Sequence, residues 1–387
     1  MKKEPTYNKP RMLIFHPALA PYRIDQFNLL NELFDLEVVF LLEDVYLSNF
    51  NMDQQKLREA SNFKYSFLLR GILFRRRLFR FGMLHKIRRS KPDIVMGFEY
   101  SLTTQYLMLL KKMRLIKQKI GTSVDDSLAI CNHVQSKMRE RVRNQSVKQL
   151  DFMVVMSKEV ARFYQDHFNL DAKKVVVSPI LQLPERLRKE AATIESFANH
   201  YIREYGLSGK KTILFVGRFI PEKTLPLFIE TIAPWLISRD DIRLVLVGDG
   251  DEREQIIAAI KEKMLEEKII LPGKYLSEEL YGWYTCASGF VLPSKWEPFG
   301  AVVNEALIFG LKVFCSCYAG ASSLITPENG IVFNPLDSTD TLDKFQQYIE
   351  SIKPVGDISL TDKPSLMEDQ RHSFLHEWGK VLSLTRG

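Results

Sequence analysis

The sequence contains no apolar run that approaches the roughly 20 residues needed to span a bilayer. Its cysteines have no histidine cluster or second cysteine pair near them; they are Cys131, Cys286, Cys315 and Cys317. A zinc site is therefore not expected, and buried, reduced thiols of a cytoplasmic protein are predicted. The apolar stretch near the start is short and interrupted by His16 and Pro17, which predicts a first strand and not a signal peptide.

Acidic residues are scarce in the first half of the chain. Residues 1–185 contain 31 Lys and Arg against 19 Asp and Glu, a net charge of +12, whereas residues 186–387 have a net charge of −5. This imbalance predicts that the first half faces an anionic surface. Nucleic acid is not expected as that partner, because no recognition module is visible.

Residues 69–91 contain nine Lys and Arg, no acid, and interleaved Leu, Ile and Phe. Such a stretch predicts an amphipathic basic helix that lies on an anionic membrane surface. The alternative is an ordinary helix with a solvated basic face.

Apolar runs of strand length alternate with helical patterns along most of the chain. This alternation predicts an α/β protein with parallel sheets covered on both faces. It is interrupted between Gln182 and Lys210, where the sequence is rich in charge and shows no strand. We therefore predict two Rossmann-like βαβ domains facing a central cleft, over residues 1–180 and 181–365, followed by a helical segment, 366–387.

The clearest local pattern runs from Ser288 to Gly310. It reads as a strand over Gly289 to Leu292, a loop, and a helix from Phe299 that ends at Gly310. The loop follows the carboxyl end of the strand, where open α/β sheets bind ligands. The first amides of the helix, near Gly300 and Ala301, would form an anion site.

Two carboxylates, Glu297 and Glu305, lie in this loop and helix with seven residues between them. A carboxylate beside a phosphate would repel it, so both are predicted to accept hydrogen bonds from hydroxyl groups. A phosphate with several hydroxyls suggests a nucleotide-sugar. The alternative is a surface helix with two solvated glutamates.

Arg218 and Lys223 follow the first strand of the second domain, directly after Gly217. Two cations at a strand's carboxyl end can converge on one anion, because Arg supplies a fork for phosphate oxygens and Lys a point charge. The alternative is a pair of solvated loop cations, one of them paired with Glu222.

These residues resemble a known family. The donor-site signature of glycosyltransferase family 4, the "glycosyl transferases group 1", matches Pro293-Ser294, Glu297-Pro298-Phe299-Gly300, Asn304-Glu305-Ala306-Leu307 and Gly310. Gly217-Arg218 and Glu222-Lys223 are similar to the family's Gly-Arg…Glu-Lys motif. Thr224 departs from the pattern, because the family usually has Gly there, and we expect this to affect loop shape more than charge.

The resemblance implies a GT-B fold, retention of anomeric configuration, and a last helix that crosses back onto the first domain. It also implies that Arg218 and Lys223 bind the donor diphosphate, with Glu297 on the sugar and Glu305 on the ribose. Lys274-Tyr275 looks like the family's turn beside the base, although a surface turn is an equal alternative. The implied donor-binding set is Gly217, Arg218, Lys223, Tyr275, Glu297, Phe299, Gly300, Ala301 and Glu305.

In the first domain, His16 to Arg23 follows the first strand without the paired glycines common in the family. His16 is either an acceptor-side group or a packed strand-end residue. Asp125 and Asp126 follow a later strand, and either could orient an acceptor hydroxyl or cap a helix. We count Asp125 with Glu297, Arg218 and Lys223 as the catalytic candidates.

The sequence thus predicts a retaining hexosyltransferase. It would move a sugar from a UDP- or GDP-linked donor to a hydroxyl of a glycan acceptor. The basic first half favours an acceptor that is lipid-linked or is a precursor of surface polysaccharide. Fixed cations could replace a metal, so neither metal nor cofactor is expected. Two alternatives remain: a nucleotide-sugar epimerase of the same fold, and a non-catalytic peripheral membrane protein that senses nucleotide.

Overall fold

The computed structural model describes residues 9–43, 54–74, 77–133 and 136–385. The chain divides into two compact units. The first extends to Leu181 and takes in the chain from Asp369 onward, and the second covers Gln182–Glu368.

The strands account for two large sheets and one hairpin. They are β1 Arg11–His16, β2 Asp35–Phe40, β3 Lys64–Phe67, β4 Gly71–Phe74, β5 Arg77–Arg80, β6 Ile94–Phe98, β7 Lys119–Val124, β8 Phe152–Val155, β9 Val175–Val177, β10 Lys211–Val216, β11 Ile242–Val247, β12 Ile269–Gly273, β13 Gly289–Leu292, β14 Lys312–Ser316 and β15 Gly330–Phe333.

The α-helices connect these strands and close the chain. They are α1 Ile24–Leu33, α2 Gln54–Glu59, α3 Met83–Ser90, α4 Leu102–Lys112, α5 Leu128–Asn132, α6 Lys137–Gln149, α7 Lys158–Phe168, α8 Pro184–Leu187, α9 Ala191–Glu204, α10 Leu225–Ser238, α11 Arg253–Glu262, α12 Ser277–Cys286, α13 Val302–Ile308, α14 Ser338–Ser351 and α15 Arg371–Ser383. None of the helices in the described ranges is long and apolar enough to cross a membrane.

Both sheets are parallel throughout. The first unit orders its strands β3-β2-β1-β6-β7-β8-β9, and the second β12-β11-β10-β13-β14-β15. When only the strands of each large sheet are counted, in chain order, both sheets contain the 3-2-1-4-5-6 order of a Rossmann fold. The direction of winding therefore reverses between β1 and β6 in the first unit and between β10 and β13 in the second. The predicted pair of Rossmann-like sheets is confirmed.

The central strands are apolar runs because both faces of each sheet are covered. In β10, for example, every residue after Lys211 is buried, and β13 is buried along its whole length. Such runs are readable from sequence, and the strands predicted there are confirmed. Ser157 is also confirmed as the N-cap of α7, since its hydroxyl accepts a hydrogen bond from the Val160 amide at 3.3 Å.

The single basic helix predicted over residues 69–91 is wrong. β4 and β5 pair as an antiparallel hairpin, and only Met83–Ser90 is helical. Gly71 makes this pairing possible, because a Cβ there would lie 2.1 Å from the Phe79 carbonyl oxygen. Phe79 packs edge-on against Tyr106 of α4 at 5.3 Å between ring centroids. Arg75 and Arg76 lie outside the described residues.

The last helix, α15, packs within the first unit. Its apolar face buries Phe374, Trp378 and Val381. The Trp378 indole donates a hydrogen bond to the Ser178 hydroxyl at 3.1 Å. Three of the four cysteine thiols are buried as predicted, whereas Cys317 is exposed. All four are free thiols.

Candidate functional site

In the second unit, the loops after β10 and β13 meet where the strand order reverses. Lys223 of the first loop and Glu297 of the second form an ion pair, with side chains that are 13% and 14% exposed. The Lys295 amide also donates to the Glu222 carbonyl at 2.9 Å, which ties the two loops together. Glu297 is therefore not a solvated surface glutamate, and Lys223 is not a solvated cation.

Thr224 stands where the family usually has glycine, and its contacts show how the loop accommodates a larger residue. It has a φ of 50°, in the left-handed region that costs a β-branched residue free energy. Its hydroxyl donates to the Pro293 carbonyl, again across the two loops. This hydrogen bond offsets part of the backbone strain, and no glycine could make it.

Arg218 projects from the same loop and is exposed. The neighbouring Gly217 packs against the turn after β11, where a Cβ on Gly248 would lie 1.9 Å from the Gly217 carbonyl oxygen. The Phe219 amide donates to the Asp249 carbonyl at 2.9 Å. The Gly248-Asp249-Gly250 turn thus supports the shape of the loop that carries Arg218.

The helix predicted from Phe299 begins at Val302 instead, with Ala301 as its N-cap. Gly300 has a φ of 95°, which a helix cannot contain. Phe299 is only 2% exposed, and its carbonyl accepts from the Ala321 amide at 2.7 Å. Gly300 and Ala301 therefore belong to the loop, and the Phe299 side chain anchors that loop in the core.

Glu305 lies inside α13 and is partly buried. One carboxylate oxygen accepts from the Tyr284 hydroxyl at 2.9 Å, and the other accepts from the Gln182 amide at 3.2 Å. Burial raises the pKa of Glu305, while these two hydrogen bonds and the charge of Arg186 lower it. The Glu305 carboxylate is thus fixed by a hydrogen bond to each oxygen, and the alternative of a solvated glutamate is wrong here too.

Tyr275 follows β12 and lies in an aromatic cluster. Its ring packs edge-on against Tyr201 at 5.6 Å and Trp283 at 5.8 Å between centroids. Its hydroxyl donates to the Pro272 carbonyl at 3.4 Å. The ring remains partly exposed, so one side of it is supported by the protein.

In the first unit, Arg23 organises the polar groups near the reversal point. Its guanidinium is 3% exposed and forms an ion pair with Asp125. It also donates to the Gln26 amide oxygen at 2.6 Å. The N-cap of α5 is Ser127, which accepts from the Ile130 amide, so neither aspartate caps that helix. Sequence reasoning placed Arg23 in the loop but missed its role.

Asp126 is buried and faces Arg139 at 3.7 Å. Burial raises the pKa of Asp126, while Arg139 and Arg143 lower it. Glu99, directly after β6, was also missed. Its amide donates to the Ser123 carbonyl at 2.7 Å, and burial together with Asp125 and Asp126 raises the pKa of its side chain to about 7.

His16 is enclosed by aromatic rings. Phe27 and Phe98 lie edge-on to it at 5.4 and 5.0 Å between centroids, and its Nδ1 lies 2.9 Å from the Ala18 carbonyl oxygen. Burial, and next the charge of Arg23, lower its pKa to about 3. The imidazole is therefore neutral, and Nδ1 carries the proton that Ala18 accepts.

A buried polar chain links this cluster to α15. It runs from Asp125 through Arg23 and Gln26 to Ser178, whose hydroxyl lies 3.2 Å from the Gln26 amide nitrogen and 3.1 Å from the Trp378 indole nitrogen. Within the ranges that the structure describes, no three His, Cys, Asp or Glu side chains cluster in a way that could hold a metal ion.

A known protein family matches the part of the chain that contains the site of the second unit. Residues 199–355 match the model of the family "Glycosyl transferases group 1". The resemblance to the group 1 glycosyltransferases is confirmed. The matched residues, hereafter the group 1 domain, include both loops with Arg218, Lys223 and Glu297, as well as Glu305.

Two curated relatives match part of the chain at moderate identity. The 2-deoxystreptamine N-acetyl-D-glucosaminyltransferase of Niallia circulans is 28% identical over 163 residues, 42% of each chain. A GDP-mannose-dependent alpha-mannosyltransferase of Mycolicibacterium smegmatis is 31% identical over 128 residues, 33% of this chain and 31% of the relative. Each match spans less than half of the relative's length.

Solved structures extend the similarity beyond the group 1 domain. Anabaena Alr3699/HepE in complex with UDP has a TM-score of 0.68 at 14% identity, covering 97% of this chain and 100% of that one. A glycosyltransferase from Rickettsia africae ESF-5 has a TM-score of 0.70 at 16% identity, covering 98% of both. At these identities the similarity shows the fold, which is GT-B.

Proposed function

We propose that the protein is a glycosyltransferase that moves a sugar from a nucleotide-sugar to a hydroxyl of an acceptor. The observation that carries this proposal is the ion pair of Lys223 with Glu297, on two loops that meet at the reversal point of the group 1 domain. Ligands of open α/β sheets bind at such points. The family match and the names of the relatives favour a sugar nucleotide as the ligand.

The donor roles follow from charge. Arg218 and Lys223 hold the diphosphate, Glu297 accepts from sugar hydroxyls, and Glu305 accepts from the ribose. Tyr275 supports the base. The loop of Gly217 and the loop of Phe299, Gly300 and Ala301 let the backbone lie close to the donor. Either UDP or GDP suits this proposal, because a fold neighbour is named as a UDP complex and a relative as GDP-mannose-dependent.

Fixed cations would drive the chemistry. As the glycosidic bond breaks, the sugar gains oxocarbenium character and the leaving diphosphate gains negative charge. Arg218 and Lys223 stabilise that charge, a preorganised electrostatic effect that can account for much of catalysis. We propose that transfer retains anomeric configuration, that the leaving phosphate helps to deprotonate the acceptor, and that no metal or cofactor is required.

The acceptor side is assigned to the first unit. Asp125, oriented by Arg23, and Asp126 are proposed to hold the acceptor hydroxyl. His16 is neutral and enclosed by aromatic rings. Only the small exposed part of its side chain could touch the acceptor. A glycan, lipid-linked or destined for surface polysaccharide, is the proposed acceptor.

We further propose that residues 69–91 contact an anionic membrane surface from the cytoplasmic side. The hairpin exposes Ile72, and Phe81 beyond it is also exposed. On α3, Met83 and Ile87 enter the core while Arg88 and Arg89 are exposed. Apolar side chains beside exposed cations are what an interfacial segment requires.

The first test is a thermal-shift comparison of UDP, GDP and ADP without divalent metal on wild type and Arg218→Ala. A ligand at 100 times its dissociation constant adds about 2.7 kcal/mol of stability. We expect one nucleotide to shift wild type, Arg218→Ala to lose the shift, and Arg203→Ala, an exposed arginine of α9, to keep it. No shift with any nucleotide would contradict the donor site.

Turnover then separates the alternatives. With the sugar nucleotide of the binding base and a glycan acceptor, a glycosyltransferase forms a new glycoside. An epimerase would convert the donor with no acceptor present, and a nucleotide sensor would bind without any turnover. Either of these results would overturn the proposed transfer reaction.

A further inference from the structure

Gln182 is the first residue of the second unit, and its side chain is almost completely buried, at 2% exposure. Its amide nitrogen donates to Glu305 Oε1 at 3.2 Å. Because a carboxylate can only accept, this bond also determines which end of the Gln182 amide is nitrogen. The chain that enters the second unit therefore carries the side chain that holds Glu305.

The second oxygen of Glu305 is held by Tyr284 of α12, whose ring is completely buried. That ring stacks between Phe290 and Phe309, with centroids 5.8 Å away from each. Tyr284 therefore cannot move to follow Glu305. With one donor on each oxygen, the carboxylate is fixed in its plane, and each oxygen retains a lone pair for a further hydroxyl.

The other end of the Gln182 amide is different. Among the residues that the structure describes, Oε1 of Gln182 is buried without a hydrogen-bond partner. A buried acceptor without a donor costs stability, so such an atom calls for an explanation in its surroundings. The Gln182 amide is therefore held beside Glu305 at a cost in stability, as expected of a side chain kept for its bond to that carboxylate.

Charge around Glu305 is consistent with a role for this bond. Burial acts to raise the pKa of Glu305, and the opposing contributions come from Tyr284, Gln182 and Arg186 of α8. Gln182 thus helps to keep the carboxylate ionised, the form that accepts two hydroxyl hydrogen bonds most strongly.

We infer that Gln182 is a positioning residue for ribose recognition: it holds the Glu305 carboxylate toward two neighbouring hydroxyls of a ribonucleotide. This inference rests on the proposed function, because Glu305 is assigned to the ribose there.

The test compares a nucleoside diphosphate with its 2′,3′-dideoxy counterpart, using whichever of UDP and GDP binds wild type. Gln182→Met keeps the length of the side chain and removes its donor. We expect the affinity of the variant for the ribonucleotide to fall about tenfold, as for loss of one charge-assisted bond, and its affinity for the dideoxy nucleotide to stay unchanged. A role in folding alone would lower both equally.

Gln346→Met is the matched control, because Gln346 also donates to a glutamate, Glu350, at 3.2 Å, but on the exposed face of α14. It should bind both nucleotides as wild type does. Tyr284→Phe removes the donor from the other Glu305 oxygen and gives a second route if Gln182→Met does not fold. It should show the same selective loss.

The outcomes are separable. If wild type prefers the ribonucleotide and both Gln182→Met and Tyr284→Phe keep that full preference, the inference is overturned while the proposed function stands. If wild type binds both nucleotides equally, the ribose assignment of Glu305 fails, and the inference with it. If wild type binds no nucleotide, it is the proposed function that fails.

Discussion

Lys223 donates to Glu297 across the two loops of the candidate donor site, and both side chains are largely shielded from water. The cation assigned to the diphosphate is thus already neutralised by the carboxylate assigned to the sugar. On the proposed roles, a diphosphate at Lys223 would have to share it with Glu297, so we expect the pair to set how strongly the free nucleotide binds.

Glu297→Gln should therefore bind the free nucleoside diphosphate several-fold more tightly, because the competing negative charge is removed. Sugar transfer should fall by about 100-fold or more, the order seen when one preorganised polar contact is lost. Calorimetry and initial rates measure the two effects. Glu222→Gln, in the same loop but exposed, is the control and should change neither. Weaker nucleotide binding by Glu297→Gln would refute the competition.

The Arg23–Asp125 pair should contribute strongly to the stability of the first unit. Arg23→Met leaves the Asp125 carboxylate, 16% exposed, without its cation, which should cost about 3–5 kcal/mol in the free energy of unfolding. Urea unfolding measures this loss. Arg11→Met breaks an exposed pair with Asp35 at 3.9 Å and should cost less than about 1 kcal/mol. Equal losses in the two variants would argue against a shielded pair.

Glu99 should make the stability of the first unit depend on pH. Its pKa rises from 4.5 to about 7 on folding, through burial and the charges of Asp125 and Asp126, which outweigh Arg139 and Arg23. The folded state then holds a proton that the unfolded state releases, so stability falls as the pH rises from about 4.5 to 7. Above that range the loss is complete.

The comparison is the free energy of unfolding of wild type and Glu99→Gln across this pH range. The advantage of Glu99→Gln should grow from pH 4.5 to 7 and then level off. Glu159→Gln, which replaces an exposed glutamate of the first unit, is measured over the same range as the control. A constant difference between wild type and Glu99→Gln would mean that Glu99 does not titrate in this window.

Reversing Arg88 and Arg89 to Glu should release the protein from vesicles that contain phosphatidylserine. Each cation near such a surface contributes about 1 kcal/mol, so the double variant should lose at least about 30-fold in partitioning. Co-sedimentation measures it. The control reverses Arg141 and Lys148, exposed cations of α6 in the same unit. An equal loss in both variants would indicate a diffuse charge effect and no specific contact of 69–91.

The sequence made the large sheets predictable because their strands are continuous apolar runs that end in polar loops. It did not reveal the hairpin of β4 and β5, because that pairing depends on the space at Gly71 and on packing against Tyr106. The helix start was predicted three residues too early. Helical periodicity includes Phe299, but the positive φ of Gly300 breaks the helix there.

The site was predictable in part for a similar reason. Glu297 and Glu305 stand in one short pattern, so their spacing could be read directly. The roles of Arg23 and Gln182 depend on partners more than 100 positions away along the chain, Asp125 and Glu305. Glu99 is different, because it directly follows a strand at the reversal point of the sheet. That position alone could have marked it as a candidate site residue.

The buried polar chain from Asp125 to Trp378 has a consequence for synthesis. Trp378 belongs to α15, which the ribosome makes only after the whole second unit has been translated. Domains usually fold as they emerge, the N-terminal one first. Ser178 therefore lacks its indole donor until α15 is made, so the first unit is completed last, and a chain interrupted before Arg371 would carry an incomplete first unit.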